Sequence, residues 1–426
     1  MLDPQFIREH PDRVKTAIRE KNTGSDEIVD RVVELDASYR ACLTKLQECQ
    51  AEANTVSASI GELMRAGNRE AVDDAKSRAA ELKAKIKEKD SESKELAIEL
   101  NTLLLEIPNI PHESVPVGKG VDDNQVIFET GAMPSFDFDP VAHWDLLDKH
   151  HLADFDRGSK VTGAGFPFYL GKGAQFQRAL VAFFLDLAVS EGGYQEIQPP
   201  YLVNSDSATG TGQLPDKEDQ MYESARDDLF LIPTAEVPVT NFFRDEIVTE
   251  DELPIKFCAY TPCFRREAGS YGLDVRGLNR IHQFDKVELV QFVHPDRSYE
   301  ALEELCADAE RALDRLNLPY RRLLMCTGDM GFTQTKKYDL EVWSAGQQKW
   351  LEVSSISNYE AYQARRMKIR YRPNDDSKPT ILHTLNGSGL ALPRVVAALL
   401  ENNQQDDGTI RVPDVLIPYT GFDVIG

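Results

Sequence analysis

Three stretches of the chain carry residue types suited to binding and activating anions. The first runs Cys263-Phe264-Arg265-Arg266-Glu267-Ala268-Gly269-Ser270, passes through a loop rich in glycine and charge to Arg280, and returns as Ile281-His282-Gln283-Phe284-Asp285-Lys286-Val287-Glu288. A guanidinium is planar, always charged and able to bridge two anionic centres, while the flat face of Phe284 suits a planar ring. The second, Leu385-Asn386-Gly387-Ser388-Gly389-Leu390-Ala391-Leu392-Pro393-Arg394, passes through glycines into a helical pattern. Such a turn lets backbone and ligand approach closely, and an arginine in the first turn of the helix can reach a phosphate. The third, Trp350-Leu351-Glu352-Val353-Ser354-Ser355-Ile356-Ser357-Asn358, alternates as a strand. Strict alternation puts Glu352 and Ser354 on one face and Val353 and Ser355 on the other.

Taken in order with Gly193-Tyr194-Gln195-Glu196-Ile197-Gln198-Pro199-Pro200, these stretches resemble the class II aminoacyl-tRNA synthetases. The 193–200 segment looks like motif 1, a dimer-interface element, and so implies a homodimer. The other matches are motif 2 around Arg265 and motif 3 around Arg394. The resemblance implies ATP as cosubstrate with Mg²⁺, and a nucleotide site of Arg265, Arg266, Glu267, Ile281, Phe284, Glu352, Val353, Ser354, Ser355 and Arg394. Arg265 would bridge an amino-acid carboxylate and the α-phosphate, and Arg394 would reach the γ-phosphate; these two are the expected catalytic residues. Glu267 would accept from the adenine amino group, with Phe284 against the purine and the backbone near Ile281 on its edge. Glu352 and Ser355 would serve Mg²⁺, because a carboxylate beside ATP repels it unless it holds a cation. Phosphoryl chemistry of this kind is mostly positioning and charge stabilisation, so no nucleophilic side chain is expected. The family usually has glycine where this chain has Pro393, a residue acceptable in a first helical turn.

Two further segments narrow the resemblance to the seryl-tRNA synthetases. Thr209-Gly210-Thr211-Gly212-Gln213-Leu214-Pro215 resembles the loop that closes over serine, and Pro233-Thr234-Ala235-Glu236-Val237-Pro238 resembles the serine-binding T-x-E element. The implied serine site is Thr234, Ala235, Glu236, Arg265, Glu288, Asn386 and Ser388, with Glu236 on the α-ammonium. A site built to pair a hydroxyl leaves its own polar atoms unpaired with alanine, which gives discrimination. The implied partners are L-serine and tRNA(Ser), and the resemblance leaves open tRNA(Sec) as a second tRNA. A ligase charging a carrier protein and an inactive scaffold are the alternatives.

These segments need a frame to position them. Residues 121–426 mix helical stretches (174–191, 296–316 and 390–402) with strand-like runs such as Phe230-Leu231-Ile232 and 286–292, which predicts an α+β catalytic domain on an antiparallel sheet flanked by helices. Residues 108–120, with Pro108, Pro111, Pro116, Gly118 and Gly120, read as a linker. Residues 1–107 read as an N-terminal domain. From Ile28 an apolar or small residue recurs at alternating steps of four and three through Val32, Cys42 and Leu46 to Leu63, and after a break at Arg65-Ala66-Gly67-Asn68 a second seam runs from Val72 to Ile107 with Lys89 and Ser93 as polar interruptions. Two such heptad helices joined by a short turn predict an antiparallel coiled-coil hairpin over residues 26–107, projecting as an arm.

Composition alone points away from RNA. The formal net charge is −23, whereas phosphate binding rests on Lys and Arg. Net charge is a sum over the whole surface, however, and a local basic face binds phosphate regardless. By the resemblance the arm embraces the long variable arm of tRNA(Ser), and Lys76, Lys83 and Lys87 on its second helix are the expected contacts. Ala53 and Ala58, where the family often has basic residues, and Leu273 in the motif 2 loop, remove some usual contacts. An acidic background suited to high intracellular salt would have this composition. No apolar run approaches the roughly 20 residues that cross a bilayer, and the charged first segment is unlike a signal peptide, so the expected location is the cytoplasm. The six cysteines include no C-x-x-C pair, so neither a disulfide framework nor zinc is expected.

Overall fold

The four-three spacing of apolar residues winds into two long helices sharing one seam. The computed structural model describes residues 1–267, 276–375 and 377–426, so that Ala268, Gly269, Ser270 and Leu273 lie outside the described residues. It divides into two units, one of residues 2–19 and 23–108, the other of Met1 and residues 20–22 and 109–426. After two short helices, α1 (Pro4–Glu9) and α2 (Pro11–Lys21), come α3 (Glu27–Arg65) and α4 (Arg69–Leu105). The last two are antiparallel partners, each about 55–58 Å long at 1.5 Å per residue. Asn68 caps α4 by accepting from the Ala71 amide at 3.2 Å. Val32, Cys42 and Leu46 of α3 and Val72, Leu82, Leu100 and Leu103 of α4 are buried. Another buried residue of α3 is a carboxylate: Asp36 takes hydrogen bonds from Arg8 at 2.8 Å and Arg40 at 2.9 Å, and so carries its charge in two ion pairs.

In the second unit, residues 283–293 are buried along almost their whole length, as a strand covered on both faces must be. The main sheet consists of β1 (Gln125–Thr130), β2 (Gln195–Glu196), β3 (Ile255–Phe264), β4 (Gln283–Val293), β5 (Tyr320–Leu324), β6 (Lys336–Ser344), β7 (Lys349–Asn358) and β8 (His383–Ala391). The spatial order is β1-β5-β6-β7-β8-β4-β3-β2. All neighbours are antiparallel except β2, which joins the edge parallel to β3. Helices α5 (Gly171–Ser190), α6 (Ser298–Arg315) and α8 (Leu392–Asn402) bury Phe183, Leu305 and Leu399 with Val287 and Leu289 of β4 in one core. Between β7 and β8 lies the short helix α7 (Ala361–Met367).

At the start of β8, His383 pairs with the Ser298 hydroxyl at 2.9 Å, and burial together with nearby Arg365 pushes the imidazole down to about 4. The folded state therefore keeps His383 neutral where the unfolded chain, titrating near 6.5, takes up a proton. Stability from this group is present above pH 6.5 and falls as pH drops toward 4, by at most about 3 kcal/mol. Urea unfolding of wild type and His383→Gln between pH 7.5 and 4 should show a shallower pH slope in the variant.

Candidate active site

The sheet opens on a cavity of about 370 Å³. Motif 2 forms one wall because β3 and β4 pair in register, Phe264 opposite Gln283 and Cys263 opposite Phe284. Just past β3, Arg265 bonds backbone to backbone with His282 at 2.9 Å, donates from Nε to the Pro233 carbonyl at 3.2 Å, and lies 5.2 Å from the Phe284 ring centroid. Its guanidinium is thereby fixed on the cavity wall. Glu267 accepts from Arg280 at 3.0 Å, and Glu267, Ile281 and Phe284 all line the cavity. Arg266 is placed elsewhere. It is exposed, its amide bonds to the Gln220 carbonyl and its guanidinium lies 5.9 Å from the Tyr222 ring.

Two carboxylates share the deep end. Glu288 on β4 forms a buried ion pair with Lys286, and both meet the Thr234 hydroxyl, which donates to Glu288 at 3.2 Å and accepts from Lys286 at 2.8 Å. Glu236 is 8% exposed and bonds to a neutral partner, the Gln363 amide, at 2.7 Å. Burial, then Glu288, push the Glu236 carboxyl up, against the pull of Gln363, Lys286 and Lys217. Asn386 and Ser388 line the same end, where the buried Asn386 Nδ2 donor has no hydrogen-bond partner among the described residues. Ala235 is fully buried behind the wall beside Val239 and Phe257 and does not line the cavity.

At the other end the structure corrects the expected alternation of β7. Asp339 on β6 faces Ser355, Leu340 faces Ser354, but Glu341 faces Glu352, so Val353 is the extra residue of a β-bulge. One inserted residue reverses strand parity, and Glu352 comes to the same face as Ser355. Glu352, Val353, Ser354 and Ser355 all line the cavity, and the Ser354 hydroxyl is spent on the Ser388 carbonyl at 2.6 Å. Arg394, in the first turn of α8, donates to the Asn279 carbonyl at 3.1 Å and the Glu352 carbonyl at 2.9 Å, with its guanidinium 3.8 Å from the Glu352 carboxylate. Pro393 sits within the first turn, as its fixed φ allows, and no side chain caps this helix. Its first free amides are thus unclaimed by a capping side chain, and a helix N-terminus of this kind suits an anion.

Among the described residues no group of three or more His, Cys, Asp or Glu is arranged to hold a metal alone. Glu352 and Ser355 on one face nonetheless fit Mg²⁺, an ion ordinarily bound by one or two protein oxygens plus substrate phosphates. Behind them Asp339 is 4% exposed and lies 3.2 Å from the Lys337 ammonium; burial pushes its carboxyl up, and Glu352 adds to the rise against the pull of Lys337.

On the other unit, Lys76, Lys83 and Lys87 are all exposed on α4, at spacings of seven and four that keep them on one face. Lys217, Lys286, Lys337, Asn279 and Tyr359, which are not among the site residues expected from the sequence, also line the cavity. Lys286 alone had a local signal, standing two residues before Glu288 on the same strand face.

Comparison with known proteins matches the Seryl-tRNA synthetase N-terminal domain over residues 1–111 and the tRNA synthetase class II core domain (G, H, P, S and T) over 220–403. A Serine–tRNA ligase of Salinibacter ruber is 60% identical over 426 residues, covering 100% of this chain and 99% of the relative, and one of Thermotoga maritima is 49% identical over 426 residues, covering 100% of both. Among solved structures, the seryl-tRNA synthetase of Pyrococcus horikoshii complexed with ATP superposes with a TM-score of 0.93 at 37% identity, covering 100% of this chain and 99% of that one.

The buried Lys286–Glu288 pair generates a direct expectation. Lys286→Met leaves two carboxylates buried with no cation in contact and should cost about 3–5 kcal/mol in urea unfolding, whereas adding Glu288→Gln should recover a large part of that loss.

Proposed function

This chain belongs to the seryl-tRNA synthetase family, and from that premise we propose how its cavity works. The activity is that of a serine–tRNA ligase: serine and ATP give seryl-adenylate and pyrophosphate, and the seryl group then passes to tRNA. Serine sits at the deep end with its ammonium on Glu236 and its hydroxyl among Thr234, Glu288, Asn386 and Ser388. The observation that carries this reading is the pairing of Glu236. A carboxylate so deeply buried needs a cation or strong donors, and its contact partner in the protein is a neutral amide. A ligand ammonium completes it, and the idle Asn386 donor awaits an acceptor.

ATP lies along the motif 2 wall, its purine against Phe284 and its amino group toward Glu267, with Ile281 at its edge and the triphosphate running to Arg394. A serine carboxylate oxygen attacks the α-phosphorus, the bond to the bridging oxygen breaks, and pyrophosphate leaves. Arg265 stands where two anions must meet, and its fixed guanidinium stabilises the charge that develops. Glu352 and Ser355 would hold Mg²⁺, which when bound neutralises phosphate charge. The orientation of Arg266 toward Tyr222 favours a role away from the purine.

For the N-terminal unit we assign tRNA(Ser) binding to α4 through Lys76, Lys83 and Lys87, with tRNA(Sec) as a second tRNA to be assayed. The edge strand β2 and helix α5 are the surfaces assigned to a homodimer. No helix of the described residues is long and apolar enough to cross a membrane, and the location assigned is the cytoplasm.

Serine-dependent ATP–pyrophosphate exchange, run beside threonine, alanine and glycine and followed by charging of tRNA(Ser), tests the central reading. Exchange with serine only, plus charging, is the expected result. Exchange without charging of any tRNA would point instead to a carrier-protein ligase. Arg265→Ala should lower the exchange rate about a thousand-fold, and Glu236→Ala should raise the KM for serine. Replacing Lys76, Lys83 and Lys87 with Gln should weaken tRNA(Ser) binding and flatten its salt dependence by up to roughly one unit of log–log slope per lost contact. An unchanged slope would sink that assignment.

A further inference from the structure

Gln363 lies in α7, more than a hundred residues along the chain from Glu236, and has no exposed surface. Its carboxamide is fully used. Nε2 donates to the Glu236 carboxylate at 2.7 Å and to the Thr211 carbonyl at 3.1 Å, while Oε1 accepts from the Thr384 hydroxyl at 2.8 Å. Glu236, Thr211 and Thr384 are themselves buried. The amide thus links three elements: the T-x-E segment, the C-terminal end of the helix Ser205–Thr211, and strand β8. One turn on, Arg366 donates to the Thr209 carbonyl at 2.9 Å, so α7 grips that helix end twice.

We infer that Gln363 is a positioning residue for serine, whose neutral amide aims the Glu236 carboxylate into the cavity and ties the Thr209–Leu214 turn to the sheet before the amino acid arrives. The inference rests on the reading that Glu236 receives the serine ammonium. The side-chain inventory explains why glutamine is needed. Two donors and one acceptor in one plane are offered only by Gln and Asn, and Asn is a methylene shorter. A lysine or arginine here would neutralise Glu236 and compete with the ligand's ammonium. A glutamate would add a third carboxylate beside Glu236 and Glu288. A neutral donor alone orients the charge while leaving it unspent.

The test is exchange kinetics on the full-length enzyme with Gln363→Met and Gln363→Glu, with thermal unfolding of each variant alongside. Losing a hydrogen bond to a buried charge should raise the KM for serine about ten-fold or more in both, with the KM for ATP held within about two-fold because the nucleotide end is untouched. A merely structural role would move the two constants together. If either variant fails to fold, Thr384→Val, which keeps the volume and removes only the donor to Gln363, should still raise the serine KM selectively, and Thr384→Ser should restore it. An unchanged serine KM in the Gln363 variants, beside a raised one in Glu236→Ala, would overturn the inference and leave the underlying reading intact. An unchanged serine KM in Glu236→Ala would overturn both.

Discussion

Two carboxylates buried in one pocket repel each other, and much of the catalytic unit serves to hold Glu236 and Glu288 together there. Each alone would prefer water or a proton. Glu288 is tolerated because Lys286, two residues away on the same strand, and the Thr234 hydroxyl sit against it. Glu236 has a weaker arrangement, a glutamine amide and more distant lysines, and its carboxyl is pushed up accordingly. That difference divides the labour: one carboxylate is structurally satisfied, and the other keeps an appetite for a cation. The sheet makes this possible because β4 lies between β3 and β8, so the charged side chains project from a strand with neighbours on both sides.

The nucleotide end follows a related logic by a different device. A carboxylate and a hydroxyl that serve one ion must face one way, yet Glu352 and Ser355 are three residues apart on a strand, where period two sets them opposed. The bulge at Val353 resolves the conflict, at the cost of a disrupted ladder and a locally bent strand. Arg394 then closes on the bulge by taking the Glu352 carbonyl, so the irregular backbone is braced by the arginine whose expected role is at the phosphates.

Much of this was legible in the sequence because motif residues are close neighbours whose types and order carry their chemistry: Arg265, Glu267, Phe284, Glu288, Ser388 and Arg394 all reach the cavity. The hairpin was legible because a heptad is a local rule. What escaped depended on register or on distance along the chain. Arg266 was grouped with Arg265, but successive residues of extended backbone point to opposite sides, and the first of the pair has the cavity. The facing of Glu352 departs from strict alternation at a bulge, which has no reliable local signature in a run such as Glu352-Val353-Ser354-Ser355. Gln363 and Lys217 are ordinary polar residues until the fold brings them beside Glu236. Asp36 is a buried carboxylate outside the heptad positions, and only the fold brings Arg8 against it beside its near neighbour Arg40.

The acidity of the chain is the remaining tension, and it resolves on scale. Screening limits exposed charges to about 8 Å in physiological salt, so a phosphate senses the nearest few side chains rather than the sum of −23. On α4, Arg78 is held by Glu52 and Glu81 and Lys94 by Asp90, which leaves them largely neutralised, whereas Lys76, Lys83 and Lys87 remain exposed on a shared face. In the cavity the same principle works through burial. Arg265 is fixed by short contacts in a region where fields are weakly screened, so it outweighs many surface carboxylates. A protein can therefore be acidic over most of its surface and still present positive charge at the places where anions must be received, provided those cations are few, local and held.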